Sequence, residues 1–169
     1  MTSFQSSPSS ASNQAPSGDD PTNQQADNTT AANVVDVIET VINSLDSDNT
    51  AMVSQTEGGY VWKFKYGTVE VFVQLTGLTN DDTISAWSAV LKLPAKDEAK
   101  LTRKLLELNW SGTLEARFAI LNDQVVVLST RSLADLSPGE ISRAITLVAT
   151  IADEQDEPLQ AEFGGGLSR

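Results

Sequence analysis

The chain has 169 residues, with 11 Lys and Arg against 23 Asp and Glu, and a formal net charge of −12. It contains no cysteine and no histidine, which excludes disulfides, thiolate nucleophiles, Ser-His-Asp and Cys-His catalysis and histidine-zinc chemistry. No run approaches the ~20 apolar residues of a membrane span, and an acidic surface repels phosphate backbones and anionic headgroups, so neither nucleic acid nor a membrane is expected as a partner.

Residues 1–31 are Ser, Asn, Gln, Thr, Pro and Ala with three Asp, and their only large apolar side chains are Met1 and Phe4. Such a segment cannot offset its chain entropy by burial and is expected to be a disordered polar tail. It has neither the basic start nor the apolar stretch of a signal peptide, so a cytoplasmic protein is expected.

From Val34 the spacing of Val34, Ile38, Val41, Ile42 and Leu45 predicts a helix over 31–46 with Thr30 as its N-cap. Asp46-Ser47-Asp48-Asn49 begins like a calcium loop, but Ala51 stands where glycine makes the sharp turn, so a polar turn ending the helix is expected. The period then switches to two. Ala51–Thr56, Tyr60–Tyr66, Val69–Leu75 and Thr83–Leu93 read as strands of an antiparallel meander, joined at Glu57-Gly58-Gly59, at Gly67 and by a loop through Asp81-Asp82. Pro94 stops the last of them.

Lys96–Asn109 reads as a second helix, with Leu101, Leu105 and Leu108 on one side and Leu106 widening the apolar arc. Leu114 to Ile120 and Gln124 to Thr130 form a hairpin turning at Asn122-Asp123. Ser137-Pro138-Gly139-Glu140 is a capping box with proline at the first helical position. It opens a third helix striped by Ile141, Ala144, Ile145, Val148, Ile151 and Ala152, which Asp153–Glu157 and Pro158 are expected to end. Residues 161–169, with three consecutive glycines, read as a frayed terminus.

The order helix, strands, helix, hairpin, helix is an α+β layout, with helices covering one sheet face. At Leu105-Leu106-Glu107-Leu108-Asn109-Trp110, followed by the hairpin Phe118–Leu128 and the helix from Ile141 to Ile151, the chain resembles the type III secretion chaperone-like superfamily, and most closely its YbjN branch. The resemblance covers residues 32–160. It implies a curved antiparallel sheet in a small bacterial protein, often dimeric, that binds other polypeptides or serves as a regulatory module and has no enzymatic activity. The long polar tail and the strand of alternating aromatic and Lys residues favour the regulatory branch over a secretion chaperone.

Tyr60, Trp62, Phe64 and Tyr66 share one strand face, with Phe72 and Trp87 nearby in the meander and Lys63 and Lys65 on the opposite face. These rings serve either as core or, because three helices cannot cover both faces of a sheet of about six strands, as a platform for a protein partner. Lys96, Lys100, Arg103 and Lys104 share one face of the second helix, just after Lys92, and form the only basic concentration in the sequence. That face is either solvated or set against an acidic segment, this chain's own acidic end included. No catalytic residue, cofactor or metal set is identifiable.

These features point to a non-enzymatic, chaperone-like or regulatory interaction module. Its partner sites are Tyr60, Trp62, Phe64, Tyr66, Trp87, Lys100, Arg103 and Leu106. The surplus apolar arc of the second helix predicts a homodimer through that helix or the neighbouring sheet edge, with Lys100 and Arg103 at the rim and the aromatic strand free for a client. The alternative is a small-ligand sensor with a pocket between the aromatic strand and the helices.

Overall fold

The structure, a computed structural model, describes residues 22–165. The expected polar tail up to residue 21, and residues 166–169 of the expected frayed terminus, lie outside the described residues. Three helices and six strands follow one another as α1 (Thr22–Leu45), β1 (Met52–Thr56), β2 (Gly59–Tyr66), β3 (Val69–Leu75), β4 (Thr83–Lys92), α2 (Glu98–Ser111), β5 (Arg117–Leu121), β6 (Gln124–Ser132) and α3 (Pro138–Phe163). The strands form one antiparallel sheet in the order β1-β2-β3-β4-β6-β5. This is the expected α+β architecture, with β1 and β5 at the edges.

Period-two alternation sorts the strand residues onto two faces. Trp62 and Phe64 of β2, Val71 and Val73 of β3, Ile84 and Ala86 of β4 and Val125 and Val127 of β6 point to one side. There they meet Ile38 and Ile42 of α1, Leu101 and Leu105 of α2 and the stripe Ile141, Ile145 and Val148 of α3 in one continuous core. α3 lies across β4, β6 and β3, and α1 lies beside α3. The Trp62 indole donates to Glu39 of α1 at 3.3 Å, tying that helix to β2. A β-bulge between Ala89 and Leu91 shifts the β4–β6 register and leaves Val90 without a partner across the ladder.

Two helix boundaries differ from the expected ones. α1 begins at Thr22, so Thr30 lies inside the helix and does not cap it; no proline or glycine interrupts the chain from Thr22 to Leu45. α3 opens at the capping box, Glu140 N donating to Ser137 Oγ at 3.3 Å and Ser137 N to Glu140 Oε2 at 2.9 Å. It then continues through Pro158 to Phe163, past the expected stop. An interior proline costs about 3 kcal/mol. Leu159 and Phe163 beyond it are buried in the core, and each such side chain contributes about 1.5–3 kcal/mol, enough to carry the helix on.

The acidic run Asp153–Glu157 does not end the helix; two of its carboxylates grip the β2–β3 turn. Thr68 N donates to Asp153 Oδ1 at 2.8 Å, and the Thr68 hydroxyl donates to Asp156 Oδ2 at 2.8 Å. Gly67, at φ +52°, passes so close beneath that a Cβ there would collide with the Asp153 carboxylate. Asp46 closes α1 by accepting from Thr50 Oγ1 at 2.9 Å and Ala51 N at 2.7 Å, the polar turn expected in place of a calcium loop.

Candidate functional site

The residues singled out in the sequence fall on three different surfaces. α2 starts at Asp97, whose side chain accepts from Lys100 N, and buries Leu101 and Leu105. Its basic face meets the end of α3 through Lys100 and Lys104. Lys100 Nζ lies 2.8 Å from Glu162, Lys104 makes a second ion pair with the same carboxylate, and both ammonium groups sit over the Phe163 ring at 5.7 and 5.5 Å. Hydrogen bonds and charge from Lys100 and Lys104 hold the Glu162 carboxyl below its usual range, and Glu162 raises Lys100 in return. The acidic segment set against the basic helix face is thus the chain's own α3. Arg103 pairs one turn along α2 with Glu107 at 3.0 Å.

On the outward flank of α2, Leu106 is 64% exposed and Trp110, one turn later, 92% exposed; Leu114 beyond the helix is exposed as well. Together they place three large apolar side chains in water along and just beyond one flank of the helix. Sequence spacing had marked Leu106 but not Trp110, whose place at i+4 from Leu106 was the available signal.

Asn109 explains why the leucine-rich stretch ends in asparagine. Its Oδ1 accepts from Phe118 N at 2.7 Å and its Nδ2 donates to Phe118 O at 3.4 Å. Phe118 turns these backbone groups away from β6, toward the open edge of the sheet. The side-chain amide therefore takes the place of a further strand and fixes the end of α2 to β5.

Of the two roles left open for the aromatic strand, core and partner platform, the structure shows the core, so Tyr60, Trp62, Phe64 and Tyr66 do not form the partner site expected of them. Trp62 and Phe64 are buried in the core, and Tyr60 and Tyr66 are partly buried against it. This face of β2 meets the helices, so the four rings contribute packing and Tyr60 stacks on Trp62 at 5.4 Å. The recess that remains between β2 and α1, lined by Glu39, Ile42, Asn43, Val53 and Trp62, is about 170 Å³.

The open face is the other one, and among the described residues no helix covers it. One cross-strand row runs over the whole sheet there: Met52, Lys63, Phe72, Trp87, Leu128 and Arg117. Phe72 and Trp87 stack at 5.5 Å with 12° between their planes, and Lys63 Nζ lies over Phe72 at 5.7 Å. Val126, in the next row, is buried without belonging to the helix-side core. A trough of about 290 Å³ runs beside Trp87, Leu128, Val126 and Ala119. Of the expected site residues, only Trp87 reaches this face.

No helix among the described residues is long and apolar enough to cross a membrane. None of the curated proteins compared with the chain matches it. A family model described as "putative bacterial sensory transduction regulator" matches residues 35–161, from α1 to the last turns of α3, and by that match the chain belongs to the YbjN family.

Proposed function

We propose that this protein is a non-enzymatic regulator, chaperone-like in its mode of action, that works by binding polypeptides as a homodimer in the bacterial cytoplasm. The observation that carries the reading is the apolar flank of α2, where Leu106 and Trp110 stand 64% and 92% exposed at i and i+4. An isologous contact would set the flank of one copy against that of the other and remove both side chains from water. Arg103 and Glu107 border the stripe as an ion pair, suited to a polar rim, whereas Lys100 is held by Glu162.

A regulatory module is favoured over a small-ligand sensor by volume. The recess between the aromatic strand and α1 measures about 170 Å³, below the roughly 300 Å³ at which ligand pockets begin. The family description supports regulation and leaves the mode of binding open.

Light scattering on the full chain at micromolar concentration tests this reading. A dimer is expected, and Leu106→Glu should yield folded monomers with an unchanged circular dichroism spectrum. A wild-type chain that remains strictly monomeric refutes the α2 interface, and so does a Leu106→Glu variant that remains dimeric.

A further inference from the structure

The outer face of the sheet carries a charge opposite to that of the chain. Its strand positions present Lys63, Lys65, Lys92 and Arg117, and the one acidic side chain among them is Glu70. Glu70 is neutralised by Lys63 at 2.7 Å. Lys65 and Arg117, both exposed, have no ion pair among the described residues. In a chain of net charge −12, this leaves a locally positive surface framing a strip of apolar side chains.

We propose that this face binds an acidic polypeptide segment of a partner protein, one that carries apolar side chains among its carboxylates. The inference rests on the interaction-module reading above and names the partner chemistry, but it uses a surface separate from α2. Carboxylates would meet Lys65 and Arg117 at the two sides of the face. An apolar side chain would enter the trough beside Trp87, Leu128 and Val126, whose volume of about 290 Å³ suits one large residue. Such pairing gives orientation and a fast encounter from charge, and holding strength from the buried anchor.

The same geometry argues against two other occupants. A second copy stacked face to face would set Lys65 and Arg117 against their own equivalents, and like charges at an interface are repulsive. A single-stranded nucleic acid would need free ring faces for base stacking. Phe72 has Trp87 on one side and the Lys63 ammonium on the other, so neither of its faces is open to a base.

The test uses the full chain labelled with ¹⁵N and three probes: acidic peptides of Asp and Glu interspersed with Leu and Phe, the same peptides with Ser in place of Leu and Phe, and oligothymidylate. The first set should bind, shift the Trp87 indole resonance and leave that of Trp110 in place. Affinity should fall at least about tenfold on raising salt from 50 to 500 mM. Serine peptides should bind at least about tenfold more weakly, because the trough is then empty. Lys65→Glu combined with Arg117→Glu should abolish binding while the dispersed spectrum persists, and Trp87→Ala should weaken it.

No binding by any acidic peptide at millimolar concentration overturns the proposal. So does a shift confined to Trp110, undiminished binding by the charge-reversed variant, or preference for oligothymidylate, which would make the face a nucleic-acid platform. Light scattering on the same samples keeps the two readings apart. Loss of peptide binding in a dimeric wild type defeats this inference alone, and peptide binding by a monomeric wild type defeats the α2 interface alone.

Discussion

Replacing Asn109 by alanine tests how the sheet edge and α2 hold each other. The 2.7 Å bond from Phe118 N to Oδ1 is the strong one, while the 3.4 Å bond from Nδ2 to Phe118 O is close to the limit for a hydrogen bond. Alanine leaves a partly buried backbone N–H without an acceptor, and such a loss costs about 1–3 kcal/mol; the long second bond adds little. The expected cost for Asn109→Ala is therefore about 2 kcal/mol. Aspartate keeps an acceptor for Phe118 N but sets a second carboxylate oxygen against Phe118 O in a partly buried site, so Asn109→Asp is expected to recover only part of that loss. Urea unfolding at one fixed protein concentration gives both values, and hydrogen exchange locates the effect: the Phe118 amide should lose protection in the alanine variant before those of β4. An alanine variant within about 0.3 kcal/mol of wild type, or one whose Phe118 amide keeps its protection, would refute the view that the amide stands in for a neighbouring strand.

Three further outcomes follow from single contacts. Ser129 Oγ is buried on the helix side of the sheet, opposite Ala86, without a hydrogen-bond partner, so Ser129→Ala should leave stability unchanged or raise it by up to about 1 kcal/mol in denaturant unfolding; a loss of that size would mean the hydroxyl is satisfied. Phe163→Ala should cost about 3–5 kcal/mol, as for other fully buried phenylalanines, and a near-neutral result would place the last turns of α3 off the core. Glu162 has a depressed folded-state pKa, so its contribution is present above the unfolded value of about 4.3 and is lost as pH falls through the folded value. The melting-temperature gap between wild type and Glu162→Gln should accordingly close from pH 6 to pH 3, and a constant gap would show that the pair with Lys100 and Lys104 adds nothing.

The local elements were legible because local and tertiary preferences agree. Val69, Val71 and Val73 alternate with polar residues and bury one face, and the Ser137–Glu140 capping box forms as its spacing requires. Where they disagree, the tertiary contribution wins. Pro158 is a local stop signal, yet the stripe resumes at Leu159 and Phe163 in helical register with Ala152, a continuation that the sequence displays once the proline is allowed inside. The face of the aromatic strand was not decidable from period alone: alternation shows that Tyr60, Trp62, Phe64 and Tyr66 share a side but not which side the helices take. The exposure of Trp110 could have been read from its i+4 spacing to Leu106, but an apolar residue at that spacing is as compatible with the buried stripe as with the outward flank.

The placement of all three helices against one side of the sheet decides where interaction surfaces can exist. Several carboxylates on that side are engaged within the chain: Glu140 with Arg131, Glu115 with Arg143, Glu162 with Lys100 and Lys104, and Asp153 and Asp156 with Thr68. These contacts draw α2 and α3 together and keep the core closed. A head-to-tail stack, helix side of one copy on the sheet side of the next, is a heterologous contact, which closes only where its rotation completes a ring and otherwise runs on as a filament. On the outer face, Lys65 and Arg117 have no ion pair among the described residues, the feature on which the proposed acidic partner depends. The apolar flank of α2, set on a different surface, can pair with its own copy at the same time. Self-association and partner binding therefore need not compete for residues, and a variant that reverses Arg117 should change partner capture without changing the oligomer.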